Sequence, residues 1–216
     1  MLPAISNFLR LADRPGIVFR GLVLILVSGL LAACAGKPPL PVGDTEKLAR
    51  WQMHRDQLEQ IQGWQVKGRI GLKAGPDAFS ASLDWRRDSA DDFRFLLYGT
   101  LGKTYARIVA GTEGFVLTLP DDRVITDTDP ERLLLRGLGW RLPVTAMQDW
   151  LKGLPTGVTL TPDQIDDAGH VTGFRTGAWT ITYEDYRSFD GLALPGKIRI
   201  THPDIQLRLA IRVWQI

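Results

Sequence analysis

The sequence is poor in residues that staple, chelate or attract nucleic acid. Among 216 residues there is one cysteine, and there are three histidines and three methionines. A lone cysteine, Cys34, excludes an internal disulfide, so the fold must rest on its apolar core. His54, His170 and His202 are scattered and lack metal-ligand spacing. There is no Gly-x-Ser-x-Gly elbow and no glycine-rich phosphate loop. The pairs Asp121-Asp122, Asp166-Asp167 and Glu184-Asp185 read as solvated turn residues. Neither an enzyme nor a cofactor or metal site is expected. Charge of one sign is lacking as well. Arg10, Arg14 and Arg20 of the 26 basic residues, and Asp13 of the 24 acidic ones, fall within positions 1–33, leaving 23 of each beyond. That balance leaves no surplus for a phosphate-backbone face.

A membrane-spanning helix takes roughly 20 apolar residues, whereas the run Gly21–Ala33 has 13. Behind three arginines, it matches the apolar region of a secretory signal. Leu31-Ala32-Ala33 directly before Cys34 resembles the lipobox of bacterial lipoproteins. That likeness implies removal of residues 1–33, a diacylglycerol on the Cys34 thiol and acylation of its new amine. Two or more acyl chains anchor a protein stably, where one does not. Ala35 stands where aspartate would imply retention in the inner membrane, which favours the outer membrane. Residues 34–43, with three prolines and two glycines, read as a flexible tether. Residues 44–216 then form one domain.

Asp44 opens a helix to about Gln62, with Leu48, Trp51, Leu58 and Ile61 on one face. Alternation follows. Trp64, Val66, Ile70 and Leu72 face one way and Gln65, Lys67, Arg69 and Lys73 the other. Phe79, Ala81, Leu83 and Trp85 repeat the pattern. Such period-2 patterning gives strands with one wet and one dry face. Further strands are expected at 93–98, 104–110, 114–119, 123–127, 163–168, 171–175, 178–184, 197–202 and 205–214. In the last, Ile205, Leu207, Leu209, Ile211 and Val213 supply the dry face. Asp129-Pro130-Glu131 opens a second helix that stops near Gly137. A third runs from Pro143 to Gly153, with Val144, Met147, Trp150 and Leu151 on one face. The fold class is therefore mainly β with α: an open, eleven-stranded antiparallel half-barrel capped by about three helices. Its apolar interior either encloses a hydrophobic ligand or is a filled core, and alternation alone leaves both open.

Several stretches then acquire a shared meaning. They are Trp51-Gln-Met-His54, Trp64-Gln-Val-Lys-Gly68-Arg-Ile, Leu96-Leu-Tyr-Gly-Thr-Leu-Gly102, Leu138-Gly-Trp-Arg-Leu-Pro-Val144, Trp150-Leu-Lys-Gly-Leu-Pro155, Trp179-Thr-Ile-Thr-Tyr183 and Leu194-Pro-Gly-Lys-Ile198. In this order they resemble the LolB family, outer-membrane receptors that accept lipoproteins from the periplasmic carrier LolA. The resemblance implies a half-barrel with an apolar cavity, acylated lipoprotein cargo, and delivery into the inner leaflet of the outer membrane. It also implies a protruding loop whose leucine touches the bilayer, here Leu101 before Gly102; the bland alternative folds Leu101 back on the sheet edge. Lining candidates are Trp64, Val66, Ile70, Leu72, Leu83, Trp85, Ile181 and Ile211. Lys67, Arg69, Lys103 and Arg107 either meet an acidic rim on the carrier or form a solvated face.

Without a nucleotide site, transfer has to run downhill in affinity, from carrier to receptor to bilayer. The competing readings are a lipid-binding or envelope-assembly lipoprotein that transfers nothing, and a filled structural module.

Overall fold

A computed structural model describes residues 42–216 apart from 90, 91, 100 and 112. The signal run, Cys34 and most of the tether lie outside the described residues. One antiparallel sheet of ten strands dominates, in the order β6-β5-β4-β3-β2-β1-β10-β9-β8-β7. The strands are β1 (Trp64–Ala74), β2 (Asp77–Arg87), β3 (Phe93–Tyr98), β4 (Thr104–Gly111), β5 (Gly114–Thr118), β6 (Val124–Asp127), β7 (Gly173–Thr176), β8 (Trp179–Phe189), β9 (Leu192–His202) and β10 (Ile205–Gln215). The meander β1–β6 and the meander β7–β10 are joined where β1 pairs with β10. The four-residue margins β6 and β7 are neighbours of nothing beyond them, so the barrel stays open. Margins this short offer little template for pairing with another chain.

Ten strands replace the eleven expected. Pro162–Gln164 forms a short 3-10 turn, and only Ile165 pairs, as an isolated bridge to Val171. β8 and β9 are longer than expected because they form one hairpin around Asp190-Gly191. Both turn residues hold positive φ, 49° and 85°, the geometry of a two-residue hairpin loop. Pro195 is tolerated inside β9 because β10 pairs with β9 only from Lys197 onward.

One bulge resets the pattern of the last strand. The β1–β10 register shifts between Lys67 and Gly68, so Gly68 faces Ile211 while Lys67 faces Val213. A side chain at Gly68 would stand 2.2 Å from the Ala210 carbonyl oxygen. Beyond the bulge the inward phase changes: Val213 is exposed and Trp214 is buried. Val213 is therefore not a dry-face residue, contrary to simple alternation.

The helices are α1 (Asp44–Glu59), α2 (Pro130–Leu138) and α3 (Val144–Lys152). Asp129 caps α2 by accepting from the Glu131 N–H at 2.8 Å, with Pro130 in the first turn. Leu133 and Leu134 bury its inner face, and Val144, Met147, Trp150 and Leu151 bury that of α3. α2 packs on β5 and β6, and α3 packs on β9 and α2. α1 packs instead against the Pro162–Gln164 turn, and His54 reaches Ala193 at the start of β9. All three helices add to the one core, α1 through buried Trp51 and Leu58.

Candidate functional site

The inner face is apolar throughout. Trp64, Val66, Ile70, Leu72, Leu83, Trp85, Ile181 and Ile211 are all buried. Cross-strand pairing explains why: Val66 stands opposite Trp85, Ile70 opposite Ala81 and Leu72 opposite Phe79. Edge-to-face aromatic contacts fill one end. Trp85 meets Trp64, Phe93 and Phe95 at centroid distances of 5.5, 5.7 and 5.2 Å.

The enclosed space at the centre is about 10 Å³, bounded by Ile70, Trp85, Phe95, Ile108, Trp140 and Met147 among others. That is about one water-sized sphere, and no alkyl chain fits it. The roomy cavity expected from the resemblance is not found among the described residues. Leu134 of α2, Val144 and Met147 of α3, and Leu142 between the helices press onto the sheet and close the central space. Of the expected lining residues, Ile70 and Trp85 border the space. Trp64, Val66, Leu72, Leu83, Ile181 and Ile211 are core side chains that do not border it. The indole Nε1–H groups of Trp64, Trp85 and Trp150 are buried without an acceptor among the described residues. Each such donor costs about 1–3 kcal/mol relative to a paired one.

Beside this closed interior lies an open apolar recess of about 430 Å³. Phe79, Leu97, Tyr105, Leu119, Leu138 and Trp140 line it, and Trp140 belongs to both spaces. The Phe79 ring meets Tyr105 at 5.1 Å and Trp140 at 5.6 Å. Tyr105 in turn packs on Gly99, at the base of the β3–β4 hairpin. The Gly102 N–H donates to the Gly99 carbonyl at 3.0 Å, and Gly102 holds φ 77°, which favours glycine. Leu101 sits at that turn with 97% of its surface exposed, so it does not fold back on the sheet. The alternation of β2 signals Phe79. Trp140 lies in the loop between α2 and α3, where no periodicity could reveal it.

The basic residues do not form one rim. Arg69 borders a groove on the sheet's outer face, and Lys67 stands 3.9 Å from Asp84 on that side. Lys103 and Arg107 are exposed near the Leu101 hairpin.

An unclosed antiparallel sheet with an apolar inner face, helices over that face and a lone exposed leucine at its margin defines a carrier or receptor for hydrophobic groups. A family profile described as "Outer membrane lipoprotein LolB" matches residues 62–214. An outer-membrane lipoprotein LolB of Nitrosococcus oceani is 34% identical over 196 residues, covering 90% of this chain and 96% of that protein. One from Pseudomonas fluorescens is 31% identical, covering 90% and 95%. A LolA superfamily structure from Nitrosomonas europaea aligns with a TM-score of 0.46 at 10% identity, covering 82% of this chain and 94% of that one. The chain belongs to the LolB family, the outer-membrane lipoprotein receptors of lipoprotein localisation.

Proposed function

We propose that this chain accepts acylated lipoproteins from the periplasmic carrier LolA and releases them into the inner leaflet of the outer membrane, without an energy source. It does so while tethered through acylated Cys34 and facing the periplasm of a Gram-negative bacterium. The observation that carries this reading is the run of aromatic contacts from Tyr105, which packs on Gly99 at the base of the hairpin that exposes Leu101, through Phe79 to Trp140, which borders both the recess and the closed interior. Cargo chains enter at the recess and lift α2 and α3, which hold the interior shut with short apolar faces. The unpaired indole donor of Trp85, which borders the closed space, favours such a guest, because an ester carbonyl supplies the acceptor it lacks. Leu101 dips into the bilayer. Its transfer contributes about 1.5–3 kcal/mol, enough to orient a tethered protein but not to hold it. Release follows because the bilayer buries whole acyl chains, at about 0.8 kcal/mol per methylene, whereas a half-open barrel covers them in part.

The test loads LolA with an acylated lipoprotein and offers it a Cys34→Ala form of this chain. Transfer to the chain is expected, followed by release into liposomes. Leu101→Glu is expected to keep the first step and lose the second. Equal release by both forms removes the loop assignment. Absence of transfer, with phospholipid bound instead, favours a lipid-binding lipoprotein.

A further inference from the structure

The outer face of the sheet, opposite the apolar interior, carries a groove of about 340 Å³ that the transfer of cargo does not use. Its floor and walls follow from register. Gly71 of β1 faces Arg208 of β10, and Arg69 of β1 faces Ala210 of β10. Each central arginine therefore stands opposite a residue with little or no side chain. On the far side, β9 sets Arg199 opposite Arg208 and Lys197 opposite Ala210.

Three features are unexplained by the fold alone. Like charges directly opposite one another, as in Arg199 and Arg208, oppose pairing of the strands. The β9 cations have carboxylate neighbours, Arg199 with Glu184 at 3.5 Å and Lys197 with Asp185 at 3.8 Å. Arg69 and Arg208 have no carboxylate within 4 Å among the described residues, and Arg69 donates only to the Ser80 hydroxyl, at 3.4 Å. Gly71 is the third. A glycine inside a strand is destabilising by roughly 0.5–1 kcal/mol relative to alanine, and bulges or close backbone contacts usually explain one. Here φ is not positive and a β-carbon would meet nothing within 4 Å. Its one structural effect is to leave the floor between two unpaired guanidinium groups open.

We propose that this groove seats the phosphate of a phospholipid headgroup, with Arg69 and Arg208 as its ligands, and so gives the tethered domain a second contact with its leaflet. Arginine forks match phosphate oxygens in pairs. A protein segment is the poorer occupant. β1, β9 and β10 are inner strands whose backbone groups are already committed to neighbours, so an added strand has nothing to pair with. Gly71 lies three residues from the end of β1 at Ala74, or roughly 10 Å along the strand. The Leu101 hairpin projects from that same end of the sheet, since Tyr98 pairs with Ser82 and β2 begins at Asp77. A domain tilted on that end brings both to one surface.

The experiment uses residues 34–216 with Cys34→Ala, which keeps every described residue, and vesicles of phosphatidylcholine with or without phosphatidylglycerol. The vesicle arms contain no cargo and no carrier, so their failure leaves the acyl-handling reading untouched, and LolA is offered in a separate arm. Arg69→Gln/Arg208→Gln is expected to weaken partition onto the anionic vesicles about 30-fold, the equivalent of about 1 kcal/mol for each cation. Gly71→Val, which fills the floor without changing charge and suits a strand, is expected to weaken it at least several-fold. Arg94→Gln/Arg175→Gln, which removes two exposed arginines outside the groove, is expected to change it little. Equal losses from both double variants, or full binding by Gly71→Val, would overturn a built site in favour of diffuse charge. Inorganic phosphate binding that these variants abolish, with vesicle partition unchanged, overturns the lipid assignment. Binding of LolA that depends on Arg69 and Arg208, with none to vesicles, does the same.

Discussion

Tyr183 on β8 donates its phenolic hydrogen to the main-chain carbonyl of Trp150 in the last turn of α3, at 2.8 Å. Among the described residues it is the one side-chain hydrogen bond that ties α3 to the sheet. Burial holds the phenol far above its ordinary pKa, so it remains a donor at any working pH. Tyr183→Phe is expected to cost about 1 kcal/mol. The Trp150 carbonyl keeps the Gly153 N–H at 3.1 Å, which limits the loss. Hydrogen exchange should quicken in α3 before it does in β8, and uptake of a hydrophobic dye should rise. Unchanged exchange in α3 would show that packing alone holds the helix down.

Gly68→Ala tests the bulge. Its new methyl group meets backbone, the Ala210 oxygen, which cannot swing aside like a side chain. The expected loss is about 1–3 kcal/mol, read as a lower midpoint in urea. Gly71→Ala, in open space three residues on, should be neutral or slightly stabilising.

Acid stability turns on Asp127. It accepts from the Arg132 guanidinium at 2.7 Å and the Asp129 N–H at 3.0 Å, with Arg136 at 3.2 Å. These donors, Arg132 foremost, hold its carboxyl down at about 2. A depressed carboxyl contributes stability above its unfolded value, near 3.9, and that contribution fades as pH falls toward 2. Arg132→Gln should make the β5–β6–α2 region unfold at higher pH in an acid titration. An unshifted transition would remove Asp127 from the account.

His54 sets a second slope nearer neutrality. Its Nε2–H donates to the Ala193 carbonyl at 2.8 Å, and Nδ1 is buried without a partner. Burial lowers its pKa, with His170, 5.0 Å away between ring centroids, adding to the effect. Backbone acceptors and Asp166 pull the other way. Protonation would place a positive charge in this buried site, which burial opposes. Stability is therefore complete above about 6.5 and falls as pH drops below it. His54→Gln should flatten that slope in denaturation series at successive pH values, and an unaltered slope would assign it elsewhere.

The strands with clean alternation, β1 and β2, were legible because one face is wet and the other dry along their whole length. The caps of α2 and α3 were legible because Asp129-Pro130 and Gly153 carry their own chemistry. Val213 and Trp214 were not, since a single bulge at Gly68 inverts the facing of everything after it without marking the sequence of β10. The β8–β9 hairpin around Asp190-Gly191 was missed, because its polar flank (Glu184, Asp185, Arg187) masks the strand pattern. At the site, alternation identified inward residues such as Ile70 and Trp85. It could not say that helices from elsewhere in the chain would close the space in front of them. Leu101 was legible only by resemblance, because a lone leucine between small residues has no periodicity to read.

The two margins of the sheet, β6 and β7, never meet. A sealed cylinder widens only by breaking rungs of its own ladder. A split ring spreads at its gap, and every rung survives. Because the margins of this sheet stay apart, widening at the gap requires no strand to unfold.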